Sequence, residues 1–296
     1  MTLCKSFRWT PVLALGLGLA SCGGADQSAT QLPATDTLAV KQESDAVVKV
    51  GGKLFSIPSP IQTVMLVSEM KVPYANGLAL PTENATRFAT KEKQALALGV
   101  YGADMAYAVA YKDGQRALKT LKTLEQLSGQ LNLSNAFSKE EMDAFKKNIN
   151  NQDSLLRLTG KAFRSADRYL KNEQRDEVSA WVLAGGWIEG LYLTLGASGD
   201  KLDPRVTARM AEQRRTLDNL IALLAQHEGS TELLAQLKDL AGSYAQVGTT
   251  YKYVAPKQDA ANRTTYLNST TTAQVAPEVL QAIITKVKAI RTAITA

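Results

Sequence analysis

The chain's 296 residues carry 34 lysines and arginines against 28 acids, a formal net charge of +6, with one histidine and two cysteines. A single histidine excludes a multi-histidine metal centre. So mild a charge, with no basic run interleaved with aromatics, is no nucleic-acid footprint. The length suits one large domain or two small ones with a sizeable core.

At the N-terminus, Lys5 and Arg8 precede an apolar run from Trp9 to Ala20. Its length is that of a signal-peptide core and too short for a membrane span. Leu19-Ala20-Ser21-Cys22 closes the run. The tetrapeptide resembles the lipobox of bacterial lipoproteins at every position. The resemblance implies cleavage before Cys22 and a diacylglyceryl group on its sulfur. Two or three acyl chains then hold the protein to membrane lipid, each contributing roughly 0.8 kcal/mol per buried methylene. With Cys4 cleaved off and Cys22 acylated, no thiol remains for a disulfide, a thiolate metal site or a nucleophile. Gly23 and Gly24 follow the cysteine, no sorting acid stands there, and the expected address is the cell envelope, on the outer membrane facing the periplasm.

Three regions are expected: residues 1–21 as lipoprotein signal peptide, 22–52 as a flexible tether of small, polar, aperiodic sequence, and 53–296 as a helical domain. "LFSIPSP" is a short extended piece; Ser59 suits an N-cap and Pro60 the first helical position. Ile61, Val64, Met65 and Ser68 follow at helical spacing. After an "ANG" turn, Thr90 opens a long helix through Tyr111. Asp113-Gly114 breaks it, and Gln115 to Leu131 returns with Leu118, Leu121, Leu124, Leu127 and Leu131 in register. Ser138 and Glu141 make a capping box for a helix to Asn148. Further helices are predicted at 152–173, 176–197, 204–227, 231–246 and 277–295, with Asp203-Pro204 and Ser230 as cap signals and Pro277 at a first position. The fold class is all-α, an irregular antiparallel multi-helix bundle. "ALGVYGADMAYA" carries part of a tetratricopeptide pattern, so solenoid-like helix hairpins are the variant of this expectation, although no second copy follows one period later. "NINNQD" leaves room for a domain boundary near residue 150.

Chemistry-bearing residues are few. Helix 95–111 carries one charged residue before its last turn, Asp104, and 178–199 carries one, Glu189, each flanked by glycines and apolar all round. Helices of this kind are buried, and a buried carboxylate needs a partner or takes a proton. Asp104 and Glu189 are therefore candidate pocket acids, or else each meets an Arg, Lys or backbone donor and sets helix register. An imelysin-like iron site fails, because "GGWIEG" has Trp187 where a histidine is required. The run 178–197 also has the length of a membrane helix, but its acid and paired glycines favour a protein core.

Arg157, Lys161, Arg164 and Arg168 fall on one line of helix 152–173, a candidate anion surface or a solvated face, with Leu155, Leu158, Ala162 and Tyr169 turned inward. The segment Gly248 to Pro277 differs from the rest: "TTYKYV" and "RTTYLN" alternate in strand fashion and suit a β-hairpin or extended loop around 249–268. Tyr251, Tyr253 and Tyr266 would offer amphipathic contact area to an envelope protein partner. His227 sits at a helix C-terminus, where the dipole favours an imidazolium cap; no catalytic residue, metal or cofactor is assigned. Beyond the lipobox the chain is similar in style to helical lipoproteins of Gram-negative envelopes, without a diagnostic motif. The expectation is a lipid-anchored, non-enzymatic binding or scaffolding protein. The alternative is a ligand-pocket protein or hydrolase using Asp104 and Glu189.

Overall fold

The computed structural model describes residues 47–50, 53–56, 68–69, 72–136, 139–149, 151–198, 203–261 and 263–296. The lipobox with Cys22, the helix start at Ser59-Pro60 and the Ser138 half of the capping box lie outside them. Strand β1 (Val47–Val50) pairs antiparallel with β2 (Lys53–Ser56). β1 falls inside the 22–52 stretch read as tether.

The body is all-α, with eight α-helices among the described residues. In chain order they are α1 (Lys91–Ala110), α2 (Gly114–Gln130), α3 (Lys139–Lys147), α4 (Gln152–Asn172), α5 (Asp176–Ala197), α6 (Pro204–Leu224), α7 (Thr231–Tyr244) and α8 (Pro277–Thr295). Local chemistry sets most of these ends. Thr90 accepts from the N–H of Lys93, Asp113 from that of Arg116 and Asp203 from that of Arg205, each quenching an orphan donor of the first turn. Pro204 and Pro277 sit where a missing N–H does no harm. α1, α2 and α4 close on left-handed residues, Lys112, Asn132 and Gln174, whose successors bond back to carbonyls of the last turn. The chain therefore reverses in three residues, and α2 returns along α1 and α5 along α4. Ser230 is the exception: it makes no side-chain cap, and its Oγ accepts from Trp181 Nε1 instead, at 2.6 Å. His227 lies just past α6, its N–H bonded to Leu224 O.

The centre of the domain is the pair α1 and α5, and these two run parallel. Their contacts advance together along both chains: Lys91 with Glu177, Leu96 with Gly185, Gly99 with Gly186, Tyr107 with Leu193. Glycine makes this approach possible. A Cβ on Gly99 would lie 2.0 Å from Val182 O, and one on Gly185 would lie 2.0 Å from Leu96 O. The two backbones touch with no side chain between them. α5 is long and apolar enough to cross a membrane by composition, but 89% of its apolar window is buried inside the domain, the mark of a core helix. α6, α7 and α8 complete the main core through Leu217, Leu220, Leu237, Leu240, Ile283 and Val287.

Between α7 and α8 the chain forms a long two-armed ribbon. Strand β3 (Gly248–Lys252) pairs antiparallel with β6 (Thr270–Gln274), and β4 (Lys257–Asp259) with β5 (Thr264–Tyr266). The hairpin expected around 249–268 is present, with different partners: "TTYK" pairs with the Thr270–Gln274 strand, and "TTY" of 264–266 pairs with "KQD". At the junction Ser269 Oγ accepts from Val254 N at 3.0 Å and donates to Val254 O at 3.2 Å, tying the arms where the ladder is interrupted.

Candidate functional site

The two acids converge. Glu189 is fully buried and Asp104 is 1% exposed, and a third element brings them a counter-charge. Arg291 of α8 spans both oxygens of Glu189, Nε to Oε2 at 3.0 Å and Nη2 to Oε1 at 3.3 Å, a side-on fork of the kind that only a guanidinium makes. Its Cζ lies 4.5 Å from the centroid of the Tyr192 ring. Asp104 takes no cation. Its Oδ2 accepts from Leu80 N at 3.0 Å. Its Oδ1 has no donor to accept from, but a proton on the Asp104 carboxyl is drawn toward the Glu189 carboxylate. Burial, then the charge of Glu189, push the Asp104 carboxyl well above the ordinary carboxylate range. Burial raises Glu189 too, against the pull of Arg291. The arrangement puts the proton on Asp104 and the charge on Glu189, opposite its guanidinium.

The cluster has a structural task. Residues 72–81 carry no regular secondary structure, yet Ala79 and Leu80 are buried, and buried backbone polar groups need partners. α1 supplies them along one face. Tyr111 donates to Val72 O at 2.8 Å, Tyr107 Oη accepts from Ala75 N at 3.0 Å, Asp104 accepts from Leu80 N, and Tyr101 donates to Pro81 O at 2.8 Å. The strap thus runs antiparallel to α1, with a rung roughly every turn. Arg116 adds bonds to Ala79 O and Leu80 O, and Arg291 one to Leu78 O. Tyr74, on the strap, stacks on Tyr111 with centroids 5.0 Å apart and donates to Asp113 Oδ2 at 3.0 Å. Asp104, Glu189 and Arg291 are then positioned to hold a strap in the core. The arginines and the tyrosine ladder escape a reading of local sequence. The one signal was tyrosines at 101, 107 and 111 beside Asp104, in a helix otherwise made of small and aliphatic residues.

The remaining candidates lie on the surface. Arg157, Lys161, Arg164 and Arg168 are all exposed on α4, but Lys161 Nζ meets Glu141 Oε1 at 2.9 Å and Arg157 Nη2 meets Ser154 Oγ at 3.0 Å. An exposed ion pair such as Lys161–Glu141 contributes little to stability, and its carboxylate offsets part of the positive field an anion would meet. Among the described residues no group of three or more histidine, cysteine or acidic side chains gathers. The ribbon is the contrast. Its base is anchored by buried Val247 and half-buried Ala273 and Val275. From Gly248 to Leu267 every described side chain is exposed except that of half-buried Asp259. Among the described residues, the large apolar side chains left in solvent are Tyr251, Tyr253, Val254, Tyr266 and Leu267, all on this ribbon. Val254 and Leu267 join the three tyrosines expected there.

Comparison with known proteins returns no matching family model, no matching curated protein and no matching solved structure.

Proposed function

We propose that the chain is a lipid-anchored, non-enzymatic binding protein of the bacterial cell envelope, tethered by acylated Cys22, whose contact surface for a protein partner is the far part of the ribbon. One observation carries the reading: among the described residues, the large apolar side chains left in water all lie on one element, the ribbon. Exposed Tyr251 (64%), Tyr253 (68%) and Leu267 (78%) form contact area that a monomer gains nothing by exposing and that a partner can desolvate. Tyrosine suits this role, with much area and few rotatable bonds. Each ladder of the ribbon holds two strands among the described residues, so a third strand from a partner would add main-chain hydrogen bonds to what the rings offer. The alternative, a pocket or hydrolase working through Asp104 and Glu189, gains support from their convergence. It needs a carboxyl that solvent and a ligand can reach, and Glu189 is fully buried and Asp104 1% exposed.

The test places a photo-crosslinking residue at position 253 of the full chain in its own membrane. A discrete adduct is expected that disappears on Tyr251→Ser with Tyr266→Ser and is absent when the crosslinker replaces exposed Lys119. Cys22→Ser should move the protein out of the membrane fraction. An adduct pattern at 253 no different from that at 119 refutes the contact surface, and a Cys22→Ser chain that stays membrane-bound refutes the anchor.

A further inference from the structure

Away from the strap and the ribbon, a half-enclosed cavity of about 180 Å³ lies between α1, α2, α3, α4 and α5. Its inner wall is apolar: Leu98, Met105, Leu121 and Val182 are buried there, and the ring of Phe163 packs so closely on Gly102 that a Cβ on that glycine would lie 2.2 Å from it. One unpaired polar atom breaks this wall. Ser128 is 2% exposed, lines the cavity, and its Oγ has no hydrogen-bond partner. Native cores rarely leave a hydroxyl so, and each case calls for a reason. The other inner hydroxyl, Thr159, already donates to Leu155 O at 2.8 Å. At the mouth stands Glu125, exposed and 3.7 Å from Lys146 Nζ.

We propose that this cavity is a binding site for a small, uncharged, mostly apolar molecule bearing one hydroxyl, its ring or short chain seated among Leu98, Met105, Leu121 and Phe163 and its hydroxyl bonded to Ser128 Oγ. Size, chemistry and plasticity agree. Apolar cavities of about 150 Å³ hold benzene, so this volume takes a ring with one or two small substituents. A serine hydroxyl both donates and accepts, which matches an alcohol or phenol, while the Glu125 carboxylate at the mouth disfavours an anion. Met105 and Met142, both lining the cavity, are unbranched and adjust to a guest. The site is independent of the ribbon and of the membrane anchor.

The isosteres p-cresol and p-xylene, which differ by a hydroxyl in place of a methyl, test it on the full chain in lipid nanodiscs with methyl-labelled methionine. p-Cresol should shift the Met105 and Met142 methyl signals saturably and leave that of Met210, buried on α6 outside the cavity, in place. Ser128→Ala should weaken p-cresol about 5- to 10-fold, the size of one lost hydrogen bond, and leave p-xylene within about twofold. Its melting temperature should not fall, since the hydroxyl has no partner to lose. Ala162→Leu, at the cavity wall, should abolish both. Because the wild-type methionine signals need no variant, a misfolded Ala162→Leu chain leaves the test intact. Shifts equal at Met210, no saturation, or p-cresol binding unchanged by Ser128→Ala would each overturn the proposal.

Discussion

If Asp104 holds its proton at neutral pH, asparagine copies the folded acid, so Asp104→Asn should be nearly silent below the ordinary aspartate range and stabilising at neutral pH, where the wild type must take up a proton to fold. The asparagine carbonyl oxygen can accept from Leu80 N as Oδ2 does at 3.0 Å, and its NH₂ replaces the O–H facing Glu189. The effect appears on changing pH. The folded chain binds this proton more tightly than the unfolded one, the carboxyl being raised first by burial and then by Glu189. Stability from it is therefore complete below the ordinary aspartate range and is lost as pH rises toward the folded value. The loss runs at up to about 1.4 kcal/mol per pH unit, so up to about 2.7 kcal/mol between pH 6 and pH 8. Glu189 and Arg291 remain in both chains and cancel in the difference. Urea unfolding at the two pH values should show the wild type losing stability relative to Asp104→Asn by that order. Asp104→Ala, which strands the buried Leu80 N–H, should be about 1–3 kcal/mol less stable than Asp104→Asn at pH 8. A wild-type-to-asparagine difference that does not move with pH refutes the placement of the proton.

Two further outcomes follow from the core. Arg291→Met should cost about 3–5 kcal/mol by leaving the Glu189 charge buried and alone, and adding Glu189→Gln should recover most of it, as read by chemical unfolding of both chains. Gly99→Ala and Gly185→Ala push a methyl into a facing carbonyl and should each cost more than about 3 kcal/mol, if the chain folds at all. Gly242→Ala, on α7 with nothing within 4 Å of the added carbon, should instead gain about 0.5–1 kcal/mol; calorimetric midpoints moving the same way at all three positions would refute the packing of α1 on α5.

The helix boundaries were legible because the signals that set them are local. Thr90, Asp113 and Asp203 lie within three residues of the N–H groups they cap, and Pro277 marks its helix by its own missing donor. Where a local signal had a distant competitor it misled. Ser230 has the composition of a cap, yet its hydroxyl serves Trp181, 49 residues earlier in the chain. The ribbon's pairing was misread for a related reason. From Gly248 to Leu267 nearly every described side chain is wet, so little hydrophobic alternation selects a register, and "TTYK" paired with β6, one strand beyond the segment expected. Of the buried acids, their burial and their need for partners could be read from the apolar helices around them, but the partners could not. Arg291 is 102 residues from Glu189, and Leu80 meets Asp104 through a main-chain N–H that no side-chain pattern announces.

By itself the sequence determined which segments are helical, which helices are buried all round, and that each of two buried helices carries a carboxylate needing an answer. These follow from propensity, periodicity and the cost of desolvating charge, all of which act over a few residues. Tertiary structure alone decided that α1 and α5 run parallel in backbone contact, that one arginine and one strap answer both acids, and that Ser128 lines an apolar cavity with its hydroxyl unpaired. Those outcomes depend on which surfaces meet once the helices collapse, and burial free energy, being non-directional, does not state its partners in advance.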